Sequence, residues 1–273
     1  MRRLRAVVAA ALLMASISPA RAAERVVALG PHLAELTCAA GGCGQLVGVI
    51  AYSNFPASVK KLPVVGDAGQ INLEALLALR PSLVLAWDGG TSPTTIDRLR
   101  RLGLRVEPVR VSKLPEVADA LDRIGGWLGT VQIAQAAAAD YRRRLAELSL
   151  RYAGAKPLKV FYQIETAPAY TVNGDSPISQ AIALCGGRNV FAGLPTLAAP
   201  VNDESVLAAQ PDVVIHSDRD GPAMLAYWSR FPRAPAMAKG QIYGIDADLL
   251  ARAGPRLIDG AELLCATLDL ARH

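Results

Sequence analysis

The chain has 273 residues, 52% of them hydrophobic, and a formal net charge of +5. Four of its arginines (Arg2, Arg3, Arg5 and Arg21) fall in a leader read below as removed, so the remaining residues carry about +1. Nucleic acid is thereby excluded as a partner, since the longest basic run, Arg142-Arg143-Arg144, lies within a helical pattern and reads as a solvated face.

Arg2, Arg3 and Arg5 precede an apolar run from Ala6 to about Ile17, and Ala20-Arg21-Ala22 supplies a small-x-small cleavage pattern. Residues 1–22 therefore read as a secretory signal peptide. The run is too short to span a bilayer, and the rest contains no other stretch of about 18 uncharged apolar residues. No cysteine sits at the cut to carry a lipid, so the mature chain is expected to be exported and soluble.

A strand at Arg25–Leu29, a Gly30-Pro31-His32 turn and a helix through Ala40 open the mature chain. A second strand, Leu46–Ala51, leads into Tyr52-Ser53-Asn54-Phe55-Pro56, turn chemistry carrying two aromatics where α/β proteins place ligands. Next comes a unit that the chain states twice at an offset of 130 residues, Ile71–Trp87 and Val201–Ser217. Asn72 matches Asn202, Glu74 matches Glu204, Leu77-Ala78 matches Leu207-Ala208, and Pro81 matches Pro211. Each copy predicts an Asn-capped helix with a glutamate in its first turn, then a proline stop and a strand buried on both faces. Trp87 ends the first such strand, ahead of Asp88-Gly89-Gly90.

Helices at Thr94–Leu102 and Leu114–Leu128 and a strand at Leu104–Val109 complete the first half. Thr130–Tyr152 contains neither Gly nor Pro and predicts a stiff helix roughly 34 Å long, a spine between two halves. The second half begins with strands at Leu158–Ile164 and Tyr170–Asn173, continues with a helix near Cys185 and the second copy, and ends with a strand at Gln241–Ile245. The fold class expected is α/β, two similar lobes with mostly parallel sheets joined by one long rigid helix. The boundaries are 23–129 for the first lobe, 130–153 for the helix and 154–273 for the second lobe.

Four cysteines in an exported chain read as two disulfides, with three connectivities open. Cys38 and Cys43 are near enough to close a small loop, which would leave Cys185 for Cys265. Their spacing is not that of a zinc ribbon or finger.

These segments resemble the periplasmic substrate-binding proteins of ABC importers, in the group with a rigid inter-lobe helix that serves vitamin B12, haem and siderophores. The likeness covers essentially the whole mature chain and is strongest to the cobalamin receptors. It rests on Tyr52-Ser53-Asn54-Phe55-Pro56, Asn72-Leu73-Glu74, Ala78-Leu79-Arg80-Pro81, Ala86-Trp87-Asp88-Gly89-Gly90, Cys185-Gly186-Gly187 and Arg252-Ala253-Gly254-Pro255-Arg256. The resemblance implies that Tyr52 and Trp87 pack on a corrin, with Asp248 and Arg252 as polar contacts from the second lobe. It also implies that Glu74 and Glu204 form salt bridges with arginines of the permease, whose ATPase drives uptake. One equivalent anion per lobe suits a twofold-symmetric transporter. A monomer with no cofactor of its own is expected.

Two aromatic walls of that family are missing, replaced by Gly66-Asp67-Ala68-Gly69 and by Ala198-Ala199. Phe55, Tyr162 or Tyr170 would then substitute, or the ligand is haem, a ferric siderophore or another chelate. His32 is read as a helix-start residue, with axial coordination of a ligand's metal as the rarer alternative. His216 is read as structural. Packing in the core is the plain alternative for Tyr52 and Trp87, and helix-dipole stabilisation for the two glutamates. An exported enzyme has little to stand on: there is no Gly-x-Ser-x-Gly, no His-Glu-x-x-His and no phosphate loop. Three histidines are also too few for a receptor of bare zinc or manganese.

Overall fold

The computed structural model describes residues 23–217 and 221–273. The leader read at residues 1–22 lies outside them. In the first lobe, β1 (Val26–Leu29), β2 (Leu46–Val49), β3 (Leu83–Trp87) and β4 (Val106–Val109) form a parallel sheet in the order β2-β1-β3-β4. The second lobe contributes β5 (Leu158–Gln163), β6 (Glu165–Thr166), β7 (Ala169–Val172), β8 (Gly187–Asn189), β9 (Ala198–Val201), β10 (Val213–Ser217) and β11 (Ile242–Ile245). Its parallel sheet runs β8-β5-β10-β11. Taken in chain order within each lobe, both sheets have the arrangement second, first, third, fourth, so the duplication heard in the sequence is a duplication of topology.

The strands predicted for these two sheets fall within a few residues of the observed ones, and β3 and β10 are the strands of the two repeat copies. The strand predicted at Tyr170–Asn173 is β7, which lies in a small antiparallel sheet, β6-β7-β9; its neighbours β6 and β9, like β8 of the parallel sheet, are short and were not foreseen. The C-terminal helix Leu257–Arg272, also not foreseen, packs under the second lobe.

Alternation at period two decides which core each strand residue enters. Val26, Ala28, Leu83 and Leu85 enter one cluster, whereas Val27, Leu29, Val84 and Ala86 enter another on the opposite face. In the second lobe Val160, Tyr162, Val213 and Ile215 join the first of these clusters, while Phe161 and Val214 pack with Trp228 on the outer face. One core thus runs through both lobes. It is carried across by the helix Val131–Tyr152, through Ala134, Ala138, Tyr141, Leu148 and Tyr152.

That helix is clamped at each end of the crossing. A β-carbon on Gly125 would sit 2.1 Å from the β-carbon of Ala134, so glycine is what lets the helix Glu116–Leu128 lie so close. Arg142 reaches back to Asp119 and Asp122 of the first lobe, each at 2.8 Å, while Arg144 reaches Asp259 at 2.6 Å and Glu262 at 2.7 Å on the C-terminal helix. Of the three arginines expected on a solvated face, only Arg143 stays on its own helix, paired with Asp140 and Glu147. Among the described residues no helix is long and apolar enough to cross a membrane.

The two repeat helices, Leu73–Ala78 and Asp203–Ala209, are built alike. Asn72 Oδ1 accepts from the Ala75 amide at 3.0 Å, and Asn202 Oδ1 from the Ser205 amide at 2.8 Å. Each helix ends in a left-handed residue, Arg80 or Gln210, both at φ 46°, followed by the expected proline. A cation at the edge of the neighbouring strand closes each end, Arg25 Nη2 to the Leu79 carbonyl at 2.7 Å and Lys159 Nζ to that of Ala209 at 3.4 Å.

Candidate functional site

Strand order reverses between β1 and β3 in one sheet and between β5 and β10 in the other. The ends of parallel strands at such a switch point form the natural crevice of an open α/β sheet. In the first lobe, His32 follows β1 and Trp87 ends β3, and their rings meet edge to face across that switch, centroids 5.2 Å apart and planes at 81°. The indole leans over Gly90, where a β-carbon would lie 1.9 Å from a ring atom. Thr91 ties the turn down: its hydroxyl accepts from the Trp87 amide at 3.0 Å, and its own amide donates to the Trp87 carbonyl at 2.8 Å. Trp87 is left 36% exposed, a flat apolar surface at the mouth of the crevice.

His32 lies beneath, 6% exposed, and its Cβ faces Gly254 of the second lobe, where a β-carbon would come within 3.4 Å. Burial, with a smaller contribution from the Arg252 charge, pushes its imidazole from the ordinary 6.5 down to about 4, so it is neutral at pH 7.

Tyr52 follows β2 and is 81% exposed, with its backbone at φ 66°. A bulky residue holds that left-handed conformation only where its surroundings impose it. The constraint comes from the other lobe: Arg252 Nη2 donates to the Tyr52 carbonyl at 3.0 Å. Arg252 Nη1 donates to Asn54 Oδ1 at 2.7 Å and to Glu35 Oε1 at 2.9 Å. Asn54 Nδ2 donates to Asp248 Oδ2 at 2.8 Å, and Asp248 Oδ1 pairs with Arg252 at 2.9 Å. Arg256 forks onto the same Glu35 through Nε at 2.9 Å and Nη2 at 2.7 Å, with its guanidinium 4.1 Å from the centre of the Phe55 ring.

Tyr52, Asp248 and Arg252 are thus brought to one boundary, with Trp87 two strands over in the same sheet, on the far side of β1. Asp248 sits in the first turn of the short helix Ala247–Leu250, directly after β11, and Asp246 caps that helix by accepting from the Asp248 amide at 2.8 Å. Of the substitutes expected for the missing aromatic walls, Tyr162 is ruled out, because as an inward residue of β5 it is 4% exposed and part of the shared core. Phe55 remains half exposed on the loop, and Tyr170 is half-buried in β7. Between Trp87 and the Gly66–Gly69 turn is a pocket of about 60 Å³, lined also by Leu29, Ile71 and Thr95.

Glu74 and Glu204 lie in the first turns of the two equivalent helices, both exposed, away from this boundary. Cys38 is bonded to Cys43 and Cys185 to Cys265. His216 is buried in β10 with Nδ1 2.7 Å from the Ser217 carbonyl, a structural role. Among the described residues no group of three or more His, Cys, Asp or Glu is arranged to hold a metal.

Glu35 was not visible as a site residue from sequence alone. Its one sequence signal lies in Arg252 and Arg256, two cations four residues apart in the loop ahead of an apolar helix. A pair of buried arginines requires a buried anion, but nothing local names it.

Two α/β lobes of equal topology, a stiff helix between them and a crevice at the strand ends, with exposed aromatics on one side and a polar segment on the other, define a two-lobed ligand-binding protein. The chain belongs to the periplasmic binding protein family, whose sequence description matches residues 26–249. It is 35% identical over 261 residues to the vitamin B12-binding protein of Yersinia pestis (strain Pestoides F), covering 94% of this chain and 91% of that one. The crystal structure of the periplasmic vitamin B12 binding protein BtuF of Vibrio cholerae superposes with a TM-score of 0.85 at 33% identity, over 92% of this chain and 98% of that chain. The periplasmic heme-binding protein BhuT in complex with two hemes gives 0.83 at 27% identity, over 92% and 99% of the respective chains.

Proposed function

We propose that this protein is an extracytoplasmic receptor that captures cobalamin or a related corrinoid between its lobes and delivers it to the permease of an ABC importer. The observation that carries the reading is the pair of exposed aromatic residues, Tyr52 and Trp87, at the strand ends of the first lobe, with the Tyr52 carbonyl held by Arg252 of the second-lobe segment that also carries Asp248. Flat amphipathic rings beside a few fixed polar groups suit a large macrocycle with polar edges. The vitamin B12-binding relatives support the choice of ligand.

In this reading residues 23–129 and 154–273 are the lobes, residues 1–22 are removed on export, and the chain acts as a monomer. Glu74 and Glu204 each meet an arginine of the permease, whose ATPase supplies the energy. The braced helix Val131–Tyr152 restricts the lobes to a small rocking, so affinity comes from contacts nearly in place before the ligand arrives.

A second reading, haem in the same crevice, is favoured by the likeness to BhuT and by the small residues at Gly66–Gly69 where a bulky wall would stand. Purified protein incubated with cyanocobalamin, and separately with haemin, then freed of excess ligand, distinguishes the two by visible absorption. A corrin spectrum travelling with the protein supports the first reading. A porphyrin spectrum alone supports the second, and a colourless protein in both trials rejects both.

A further inference from the structure

Glu35 sits on the helix Pro31–Thr37 of the first lobe, 2% exposed, and it accepts from two arginines of the second lobe. A buried ion cluster of this kind is a poor source of stability, because the desolvation of its members offsets most of their attraction. Its effect on geometry is larger. Arg252 commits both nitrogens of its fork within the protein, to Glu35 and Asn54 through Nη1 and to Tyr52 and Asp248 through Nη2. Arg256, forked onto Glu35, stacks on Phe55. Among the described residues, the side-chain hydrogen bonds and ring contact these two arginines make beyond the carboxylates land on the loop Tyr52–Phe55.

We propose that Glu35 is a positioning residue for ligand binding: it pins Arg252, and through it fixes the left-handed Tyr52 as an aromatic wall of the crevice. On this account Arg252, one of the polar groups of the crevice, also aims its wall. The loop belongs to the first lobe by sequence but is registered on the second, so the attitude of Tyr52 follows the relative position of the lobes. The claim about ligand binding rests on the crevice being the corrinoid site; the claim about the loop does not.

Two measurements decide it. First, cyanocobalamin is titrated into the wild type, Glu35→Gln, Tyr52→Ala and the double variant. Glu35→Gln is expected to weaken binding about tenfold, and the double variant to bind no more weakly than Tyr52→Ala alone, since residues acting through one another are not additive. Losses that multiply would overturn the proposal.

Second, hydrogen exchange is followed without ligand in Glu35→Gln and in Asn54→Ala, which leaves the buried ion cluster whole and removes the loop's side-chain tie to Arg252 and Asp248. Faster exchange confined to residues 50–56, with β1 and β3 unchanged, supports the account, and unchanged exchange in the loop overturns it. Should Glu35→Gln fail to fold, Glu35→Asp, which keeps the anion but shortens its reach to the arginines, carries both measurements. A wild type that binds no cyanocobalamin would refute the corrinoid reading, while the exchange result would still decide the role of Glu35 in holding the loop.

Discussion

The indole of Trp87 lies over Gly90 so closely that a β-carbon there would stand 1.9 Å from its ring. Gly90 therefore shapes the exposed surface of Trp87, because only glycine there lets the large ring fold back on its own turn. Gly90→Ala is predicted to displace the indole and weaken cyanocobalamin binding, with circular dichroism unchanged. Trp87→Ala should cost about 2 kcal/mol, roughly thirtyfold, as buried tryptophan anchors do. Calorimetric titration checks both, and wild-type affinity in Trp87→Ala would remove that residue from the site.

The burial of His32, with the Arg252 charge nearby, carries a pH signature. Because the folded imidazole titrates near 4 and the unfolded one near 6.5, the unfolded chain takes up the proton first as pH falls. Stability from this group is complete above pH 6.5 and is lost progressively down to pH 4, by about 3 kcal/mol in all. Urea unfolding of the wild type and His32→Gln at pH 7 and pH 4 measures it. The variant is expected to lose less stability on acidification, and equal losses would contradict a buried neutral His32.

Glu74 and Glu204 occupy the same place in two equivalent lobes, each beside an Asn-capped helix start. Reversal of both to Lys is predicted to abolish cobalamin uptake in proteoliposomes carrying the cognate importer, while cyanocobalamin affinity in solution stays unchanged. The folding cost is small, about 0.3–1 kcal/mol per lost helix-dipole contact. Normal uptake by the double variant would reject the docking role.

The two disulfides close loops of very different length, 5 residues for Cys38–Cys43 and 80 for Cys185–Cys265. In the chain-entropy picture they stabilise by about 2 and about 4–5 kcal/mol respectively. Replacing Cys185 and Cys265 by Ala should therefore lower the denaturation midpoint clearly more than replacing Cys38 and Cys43. Equal effects would contradict the chain-entropy account.

What could be read beforehand was whatever is encoded locally. Asn72 and Asn202 announced their helices because an N-cap acts within three residues, and β3 and β10 were audible as apolar runs because both of their faces are buried. The topology followed from the repeat. The strand β7 was legible at Tyr170–Asn173, but β6, β8 and β9 escaped because they have two to four residues, too few to show a period. Tyr162 was misjudged as a candidate wall because position in a strand, not residue type, decides which face it enters. Glu35 could not be found at all: its partners are 217 and 221 residues away, and on its own helix it is indistinguishable from a surface glutamate.

The central claim is that the crevice between the lobes holds one corrinoid per chain, and calorimetric titration of residues 23–273 with cyanocobalamin tests it most directly. The account predicts saturable binding at one ligand per chain that is much weakened in Trp87→Ala. The absence of any binding heat, or binding that Trp87→Ala and Tyr52→Ala together leave untouched, would contradict it.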